Sequence, residues 1–328
     1  IQTLCYETLL GQHSATLEFV PGLASHWFIS DDKLTFKFRI NPDARWADGM
    51  PMIADDIVAT WDLRMDETIL MPSEQLTFGK FERPIAESKY IVSVKAKAVN
   101  WRNFLYFSTM AIHPNPILKD LDGTAFLEEY AFSMIVGSGP YEIPEDKILN
   151  QESYTFVRRD DYWAAESPFS KYMYNFDKIK VSVVKDNDAL QFEKFKKGEQ
   201  DIFTVNRARR WVEETDFEST QKGWVKKQRV FSERPAGTSG YFFNMRKWPF
   251  DDKRVRYAFC YLYNREKMNK EMYYSEYGYM NSMYAGSMYE NPNNNKFPYN
   301  PEKAVELLKE AGYTSRNDDG LLVHDESG

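Results

Sequence analysis

Residues that build disulfides and metal sites are scarce in this chain of 328 residues, which has two cysteines and four histidines. Cys5 and Cys260 lie in segments that we predict to be helical, and we expect two buried free thiols rather than a disulfide. No two histidines stand at a metal-ligand spacing on one predicted element, which disfavours a zinc site. The histidines are His13, His26, His113 and His324.

Long hydrophobic runs and an excess of positive charge are also lacking. No stretch approaches the roughly 20 apolar residues that are needed to span a bilayer. The opening "IQTLCYETLL" has none of the parts of a signal peptide. A mature or truncated secreted chain would look the same. The formal net charge of −7 disfavours general nucleic-acid binding and attachment to an anionic membrane surface.

Catalytic motifs are missing too. There is no Gly-x-Ser-x-Gly elbow for an acyl-transfer nucleophile. The run "GSGPYEI" from Gly137 lacks the Lys of a phosphate loop and the third Gly of a dinucleotide site, so no cofactor is predicted. Carboxylate pairs lie in turns or first helical turns, where the helix dipole favours them, so a glycoside hydrolase remains only a less favoured alternative. These pairs include Asp31/Asp32, Asp55/Asp56, Glu128/Glu129 and Asp160/Asp161.

Aromatic residues are abundant, at 16% of the chain, and must fill a core or line a site. Period-two alternation predicts strands at Leu34–Ile40, Tyr90–Val99, from Tyr154 and at Lys178–Val184. Helical spacing predicts helices in "ADDIVATWDLRMD", in "DALQFEKFKKGEQ" with Gly198 as the stop, and at Tyr299–Tyr313 with Asn300 as the N-cap. The length favours about two domains.

Six segments in this order resemble the family 5 extracellular solute-binding proteins of ABC importers. The segments are "YETLLG" from Tyr6, "FVPGLASHWFISDDKLTFKFRINPDARWADGMPMIADDIVATWDL" from Phe19, "GSGPYEI", "RRDDYWA" from Arg158, "NFDKIKVSVVKDNDALQFEKFKKGEQDI" and "YNPEKAVELLKEAGY". The forms "NFDKIK" and "GYFFNMRKWPFDD" and the Met- and Tyr-rich run after Arg265 are most similar to the YejA-like oligopeptide-binding branch. Ile53 stands where the family usually has a capping Thr, so we expect a weaker helix start there.

The resemblance implies an α/β, periplasmic-binding-protein-like (type II) fold, with two lobes of mixed sheets flanked by helices. We expect residues 1–135 to form an outer subdomain of the N-terminal lobe and 136–252 its central mixed sheet beside the cleft. Residues 253–328 would begin a second lobe. Compared with the family, the chain is expected to lack the first strand and a long C-terminal portion, so that the second lobe would be incomplete.

The resemblance also implies where a ligand would bind. Residues 241–245 are predicted to form a strand that borders the interlobe cleft, before a crossing in which Asp251 or Asp252 caps a helix. Asn244 places an amide on an otherwise apolar strand. Burying this amide without a hydrogen-bond partner would be costly, so we expect it to contact the ligand. Two serines beside glycines would donate hydrogen bonds where the backbone approaches the ligand. The predicted ligand-binding residues are Ser138, Ser239, Tyr241, Phe242 and Asn244.

By the same resemblance, the protein would be a monomeric, periplasmic or extracytoplasmic binding protein and not an enzyme. It would capture oligopeptides by hinge closure and deliver them to an inner-membrane ABC permease. The same fold binding an oligosaccharide or a metal chelate is the alternative, although the few histidines disfavour the chelate.

Overall fold

The strand predicted at Leu34–Ile40 lies inside a four-stranded antiparallel sheet in the computed structural model, which describes residues 2–13, 16–231 and 239–325. In this sheet Phe38 lies opposite Trp27 on one neighbouring strand and Val92 on the other. The alternation of the sequence matches the burial, because Phe36 and Phe38 are buried while Arg39 between the core positions is exposed. The sheet prediction is confirmed for this segment.

The described residues fall into two units, Ile1–Asp186 and Asn187–Gly328. The first contains α1 (Gln2–Cys5), α2 (Ala54–Met65), α3 (Pro72–Phe78), α4 (Asn103–Ser108), α5 (Asn115–Leu118) and α6 (Gly123–Tyr130), with short 3₁₀ turns at Glu67–Ile69 and Glu145–Lys147. Its strands are β1 (Leu10–Gln12), β2 (Phe19–Pro21), β3 (Ala24–Ile29), β4 (Thr35–Ile40), β5 (Ile85–Ser88), β6 (Ile91–Lys95), β7 (Tyr141–Glu142), β8 (Ile148–Leu149), β9 (Ser153–Arg158) and β10 (Lys178–Ser182).

The second unit contains α7 (Asp188–Lys196), α8 (Glu218–Gln221), α9 (Lys253–Leu262), α10 (Arg265–Met272) and α11 (Pro301–Glu310), a π-helical turn at Arg210–Glu214, and the strands β11 (Ser315–Arg316) and β12 (Leu322–Val323). Asn300 accepts a hydrogen bond from the Lys303 backbone N–H at 2.9 Å, as predicted for the α11 N-cap. Asp252 does the same for the N–H of Arg254 in α9, at 2.7 Å. The starts of α9 and α11 are therefore encoded locally.

Two hydrophobic clusters hold the first unit together. In the first cluster the order β3-β4-β6-β5 presents Phe38 to α4, where it stacks on Phe104 and Phe107 at ring distances of 5.7 and 5.9 Å. The second cluster lies under β10-β9-β7, with β8 also paired to β9, and includes Tyr141 edge-on to Phe156 at 6.4 Å. Each sheet buries one apolar face against neighbouring elements.

The N-terminus of α2 tests the expected effect of Ile53. The Ile53 side chain makes no capping hydrogen bond. Instead the Asp56 carboxylate accepts from the Ile53 backbone N–H at 2.8 Å and from the Asn115 N–H at 2.7 Å. Half of a capping box therefore remains, because the Ile53 N–H has a side-chain acceptor. The other half is missing, because the Ile53 side chain has no atom that accepts from a backbone N–H of the first turn.

The strand predicted at residues 241–245 is not formed in the described structure, so this prediction is wrong. Asn244 instead begins a turn, in which its backbone carbonyl accepts from the Lys247 N–H at 3.0 Å. Phe243 packs locally on Phe250, with their ring centroids 4.7 Å apart. A strand exists only through hydrogen bonds to a neighbouring strand, and apolar alternation alone does not supply that neighbour.

Three further expectations concern cysteines, membrane helices and domain boundaries. Cys5 and Cys260 are both free, as predicted, although Cys260 is only half-buried. Within the described residues, no helix is long and apolar enough to cross a membrane. The predicted boundary after residue 135 lies inside the first unit, and the one after residue 252 lies inside the second. Residues 136–186 belong with the N-terminal ones. The division into lobes stays a prediction.

Candidate functional site

A cleft of about 1270 Å³ opens in the first unit. It is lined by residues of the first 41 positions, by residues of α2, α3 and α4, by the segment that follows α4, by Pro140 and by the loop after β9. Its wall is rich in aromatic side chains, which include Tyr6, Phe78, Tyr106, Tyr162, Trp163 and Tyr174. Polar side chains line it as well, and a concave site that combines aromatic faces with polar groups is a typical ligand site.

Glu7 provides a fixed carboxylate on this wall. Its Oε1 accepts a hydrogen bond from the Tyr162 hydroxyl at 2.7 Å, and its Oε2 accepts one from the Trp163 indole N–H at 2.8 Å. Burial raises the pKa of Glu7, and the hydrogen bonds from Trp163, Tyr162 and Ser138 oppose that rise. The carboxylate therefore lies in a partly dry, aromatic environment.

The backbone of Glu7 is held from both sides. Its N–H donates to the Ser138 Oγ at 3.2 Å, and its carbonyl accepts from the Ile112 N–H at 3.1 Å. Ser138 is fully buried, with none of its surface exposed. In this arrangement Ser138 positions a residue of the cleft wall, and its own contact with a ligand stays a prediction.

The glycines beside Ser138 have a packing role. A Cβ on Gly137 would lie 2.2 Å from the backbone carbonyl oxygen of Cys5, and one on Gly139 would lie 2.3 Å from that of Leu4. The turn therefore needs glycine for close approach to α1 rather than for approach to a ligand. Arg159 reinforces it by donating from Nη1 to the Gly139 carbonyl at 3.0 Å.

Tyr6, on the cleft wall, packs against the buried His113. The Tyr6 hydroxyl donates to the Ile135 carbonyl at 3.0 Å, and its ring meets the His113 ring edge-on at 4.9 Å. Burial, helped by the nearby positive charge of Arg64, lowers the pKa of His113 to about 3. His113 is consequently neutral at ordinary pH and serves as a buried ring.

The other predicted site residues lie in the second unit. Ser239, Tyr241, Phe242 and Asn244 are all exposed there. Tyr241 meets Tyr263 edge-on at 6.0 Å, and the Asn244 Oδ1 accepts from the Arg246 N–H at 3.2 Å. Their contact with a ligand is untested and stays a prediction.

Sequence reasoning missed Glu7, Tyr162 and Trp163 as residues of one site. Both of their segments, "YETLLG" and "RRDDYWA", carried the family resemblance. The available signal was an acidic residue in one motif and aromatic hydrogen-bond donors in the other. Nothing local joins them, since 155 positions separate Glu7 from Tyr162.

The sequence model of one protein family, the bacterial extracellular solute-binding proteins, family 5 (middle region), matches residues 18–327. The chain belongs to this family. Members of the family are solute-binding proteins. A similar curated relative is the probable peptide-binding protein YejA of Agrobacterium fabrum, which is 27% identical over 303 residues, covering 87% of this chain and 47% of the relative. The chain thus spans less than half the length of this relative.

Solved structures of the same fold confirm the predicted type II periplasmic-binding-protein-like architecture. The oligopeptide-binding protein AppA of Bacillus subtilis, in complex with a nonapeptide, has a TM-score of 0.72 and 23% identity, covering 98% of this chain and 61% of its own. A periplasmic oligopeptide-binding protein of Thermotoga maritima, with mannohexaose bound, has a TM-score of 0.75 and 21% identity, covering 98% and 59%. At these identities the likeness shows the fold alone.

Proposed function

We propose that this protein is the solute-binding component of an ABC importer, that it captures oligopeptides, and that it delivers them to a membrane permease. The observation that carries the proposal is the aromatic cleft of about 1270 Å³. Pockets for drug-sized molecules occupy roughly 300–1,000 Å³. A larger cleft suits an extended ligand of several residues.

The chemistry of the cleft wall supports a peptide. Tyr162, Trp163 and Tyr174 offer broad apolar faces that accept varied side chains. Tyr162 and Trp163 keep their polar atoms bound to Glu7 at the same time. The cleft also carries polar side chains such as Gln12 and Asn41. Apolar faces that accept varied side chains, together with polar groups that meet a peptide backbone, suit a receptor for peptides of varied sequence.

The relatives support the same class of ligand and keep one alternative open. The name of the Agrobacterium relative refers to peptide binding, and the Bacillus structure holds a nonapeptide. The Thermotoga structure holds mannohexaose. Aromatic faces also stack on sugar rings, so an oligosaccharide is the second candidate. In either case the protein would act outside the cytoplasm as a monomer, without a cofactor.

Native mass spectrometry of the full-length natural protein, purified gently, tests this function. We expect retained ligands that fragment as a series of short peptides. A Trp163→Ala variant should retain less of them, whereas the exposed Trp101→Ala variant serves as its matched control. A bound glycan would move the function to the second candidate. Failure of the folded protein to bind any peptide in calorimetry would contradict the proposal.

A further inference from the structure

The charged groups of the cleft leave one carboxylate without an ionic partner. Arg64 and Glu74, which both line the cleft, form an ion pair with each other. Glu7 takes part in none of the ion pairs found among the described residues, and Arg159 is paired with Asp161 at 3.1 Å. The cleft wall therefore presents Glu7 as a carboxyl group without an ion-pair partner among the described residues. Burial raises its pKa, and the positive charge of Arg159 opposes this rise without forming an ion pair with it.

The carboxylate of Glu7 is fixed but has acceptor capacity left. A carboxylate has about four lone-pair sites. Tyr162 and Trp163 use one on each oxygen, and a hydrogen bond from Ser138 uses a third. The two aromatic donors also lock the carboxylate in one orientation, because both carry bulky rings that belong to the same stretch after β9. About one site remains for a donor in the cleft.

A cationic donor would suit this position better than a neutral one. Removing a charge from water without a partner is costly, and a partly buried carboxylate recovers part of this loss when a cation binds to it. Charge-assisted hydrogen bonds are also about twice as strong as neutral ones. The rigid orientation of Glu7 reduces the entropy that binding would otherwise lose.

We propose that Glu7 makes the cleft selective for ligands that place a protonated amine against its carboxylate, which Tyr162 and Trp163 hold in position. The inference rests on the proposed function and adds a specificity residue to it. The amine belongs to a lysine-like side chain or to the N-terminus of the peptide. Both sources share the chemistry of an ammonium group that donates to a carboxylate.

The experiment compares ligands that differ only in this charge. The probes are pentapeptides with lysine at each position in turn and their norleucine counterparts, which lack the ammonium, each with a free or an acetylated N-terminus. Calorimetry on the full-length protein should show about tenfold or greater preference for one cationic form. A preference for lysine over norleucine identifies the side chain, and one for the free over the acetylated terminus identifies the α-amine.

Variants then assign the preference to Glu7. The Glu7→Gln variant should reduce the preference to near one, mainly by weakening the cationic probe. The Glu128→Gln variant makes the same charge change on the exposed face of α6 and should leave the preference intact. Tyr162→Phe keeps the Glu7 charge and removes one of its donors, so it should lower affinity yet retain a preference for the cation.

Two results would overturn the inference and leave the proposed function standing. One is wild-type protein that binds peptides with no preference between charged and neutral forms, a result that needs no variant to fold. The other is a Glu7→Gln variant that weakens both forms by the same factor, as expected of a purely structural residue. If wild-type protein binds none of the peptides, the proposed function fails, and the inference fails with it.

Discussion

The two units of this chain treat their apolar residues very differently. The first unit, Ile1–Asp186, buries large side chains such as Trp46, Phe38 and Phe107 within two hydrophobic clusters. Among the described residues of the second unit, the buried apolar ones are few and mostly small: Phe192, Ala208, Val255, Ala258, Ala304 and Ala311. Both units are rich in aromatic residues, so aromatic content does not explain the difference.

The second unit instead groups its aromatic residues in local stacks. Phe192 packs against Phe203 at 5.2 Å, and the buried Arg210 lies over its ring at 4.6 Å. Many other large apolar side chains stay exposed, for example Tyr241 and Phe242. Paired sheets supply two faces on which apolar rows can be buried, whereas short helices with long connections supply few. The comparison teaches that pairing of strands, rather than aromatic content, decides burial here.

The sharpest test of the comparison replaces one phenylalanine in each unit by alanine. Phe107 is 0% exposed in the first unit, and Phe242 is 83% exposed in the second. Phe107→Ala should lower the free energy of unfolding by about 3–5 kcal/mol, because it leaves a cavity in the core. Phe242→Ala should change it by less than about 0.5 kcal/mol. Urea denaturation measures both, and equal losses would break the comparison.

The buried His113 should make the first unit sensitive to acid. Its pKa is about 3 in the folded protein against an ordinary 6.5, so the unfolded chain binds more protons between these values and stability falls as the pH is lowered. From pH 6.5 to pH 4 the loss should reach about 3 kcal/mol, at about 1.4 kcal/mol per unit.

The His113 contribution is measured by comparing urea denaturation of the wild type and His113→Phe at each pH, since other groups titrate as well. The His26→Asn variant, at an exposed position of β3, is the matched control. A difference between wild type and His113→Phe that does not change between pH 6.5 and pH 4 would contradict the assignment.

Two glycines test whether close backbone contacts are confined to the first unit. Gly139→Ala should destabilise the protein by about 1–3 kcal/mol, because the new Cβ would meet the Leu4 carbonyl oxygen at 2.3 Å. Gly240→Ala in the second unit should have little effect, because nothing lies within 4 Å of a Cβ there. Thermal or urea unfolding measures the stability of both variants. A Gly139→Ala variant as stable as the wild type would contradict the prediction and show that the turn relaxes.

The smallest expected effect concerns the local encoding of the second unit. Asn300→Ala removes the side-chain acceptor for the Lys303 N–H and should lower stability by about 1 kcal/mol. Asn300→Asp keeps an acceptor and should be close to wild type. Hydrogen exchange in α11 measures the change at the helix itself. If both variants behave alike, the cap contributes nothing to this helix.

The sequence alone predicted those elements whose signals are local. The alternation of β4 and the Asn300 cap of α11 both matched the structure. The strand at 241–245 failed because its partner could not be read from its own residues. Ser138 was singled out for its glycine neighbours, and the structure gives those glycines a packing reason.

Family membership and fold were also determined by the sequence, because ordered motifs along the chain carry them. Only the tertiary structure decided that Glu7 meets Tyr162 and Trp163. Periodicity and capping act over a few residues and can therefore be recognised in the sequence alone. The neighbours of a side chain depend on which distant elements pack beside it. Burial by those elements shifts its pKa and so its chemistry.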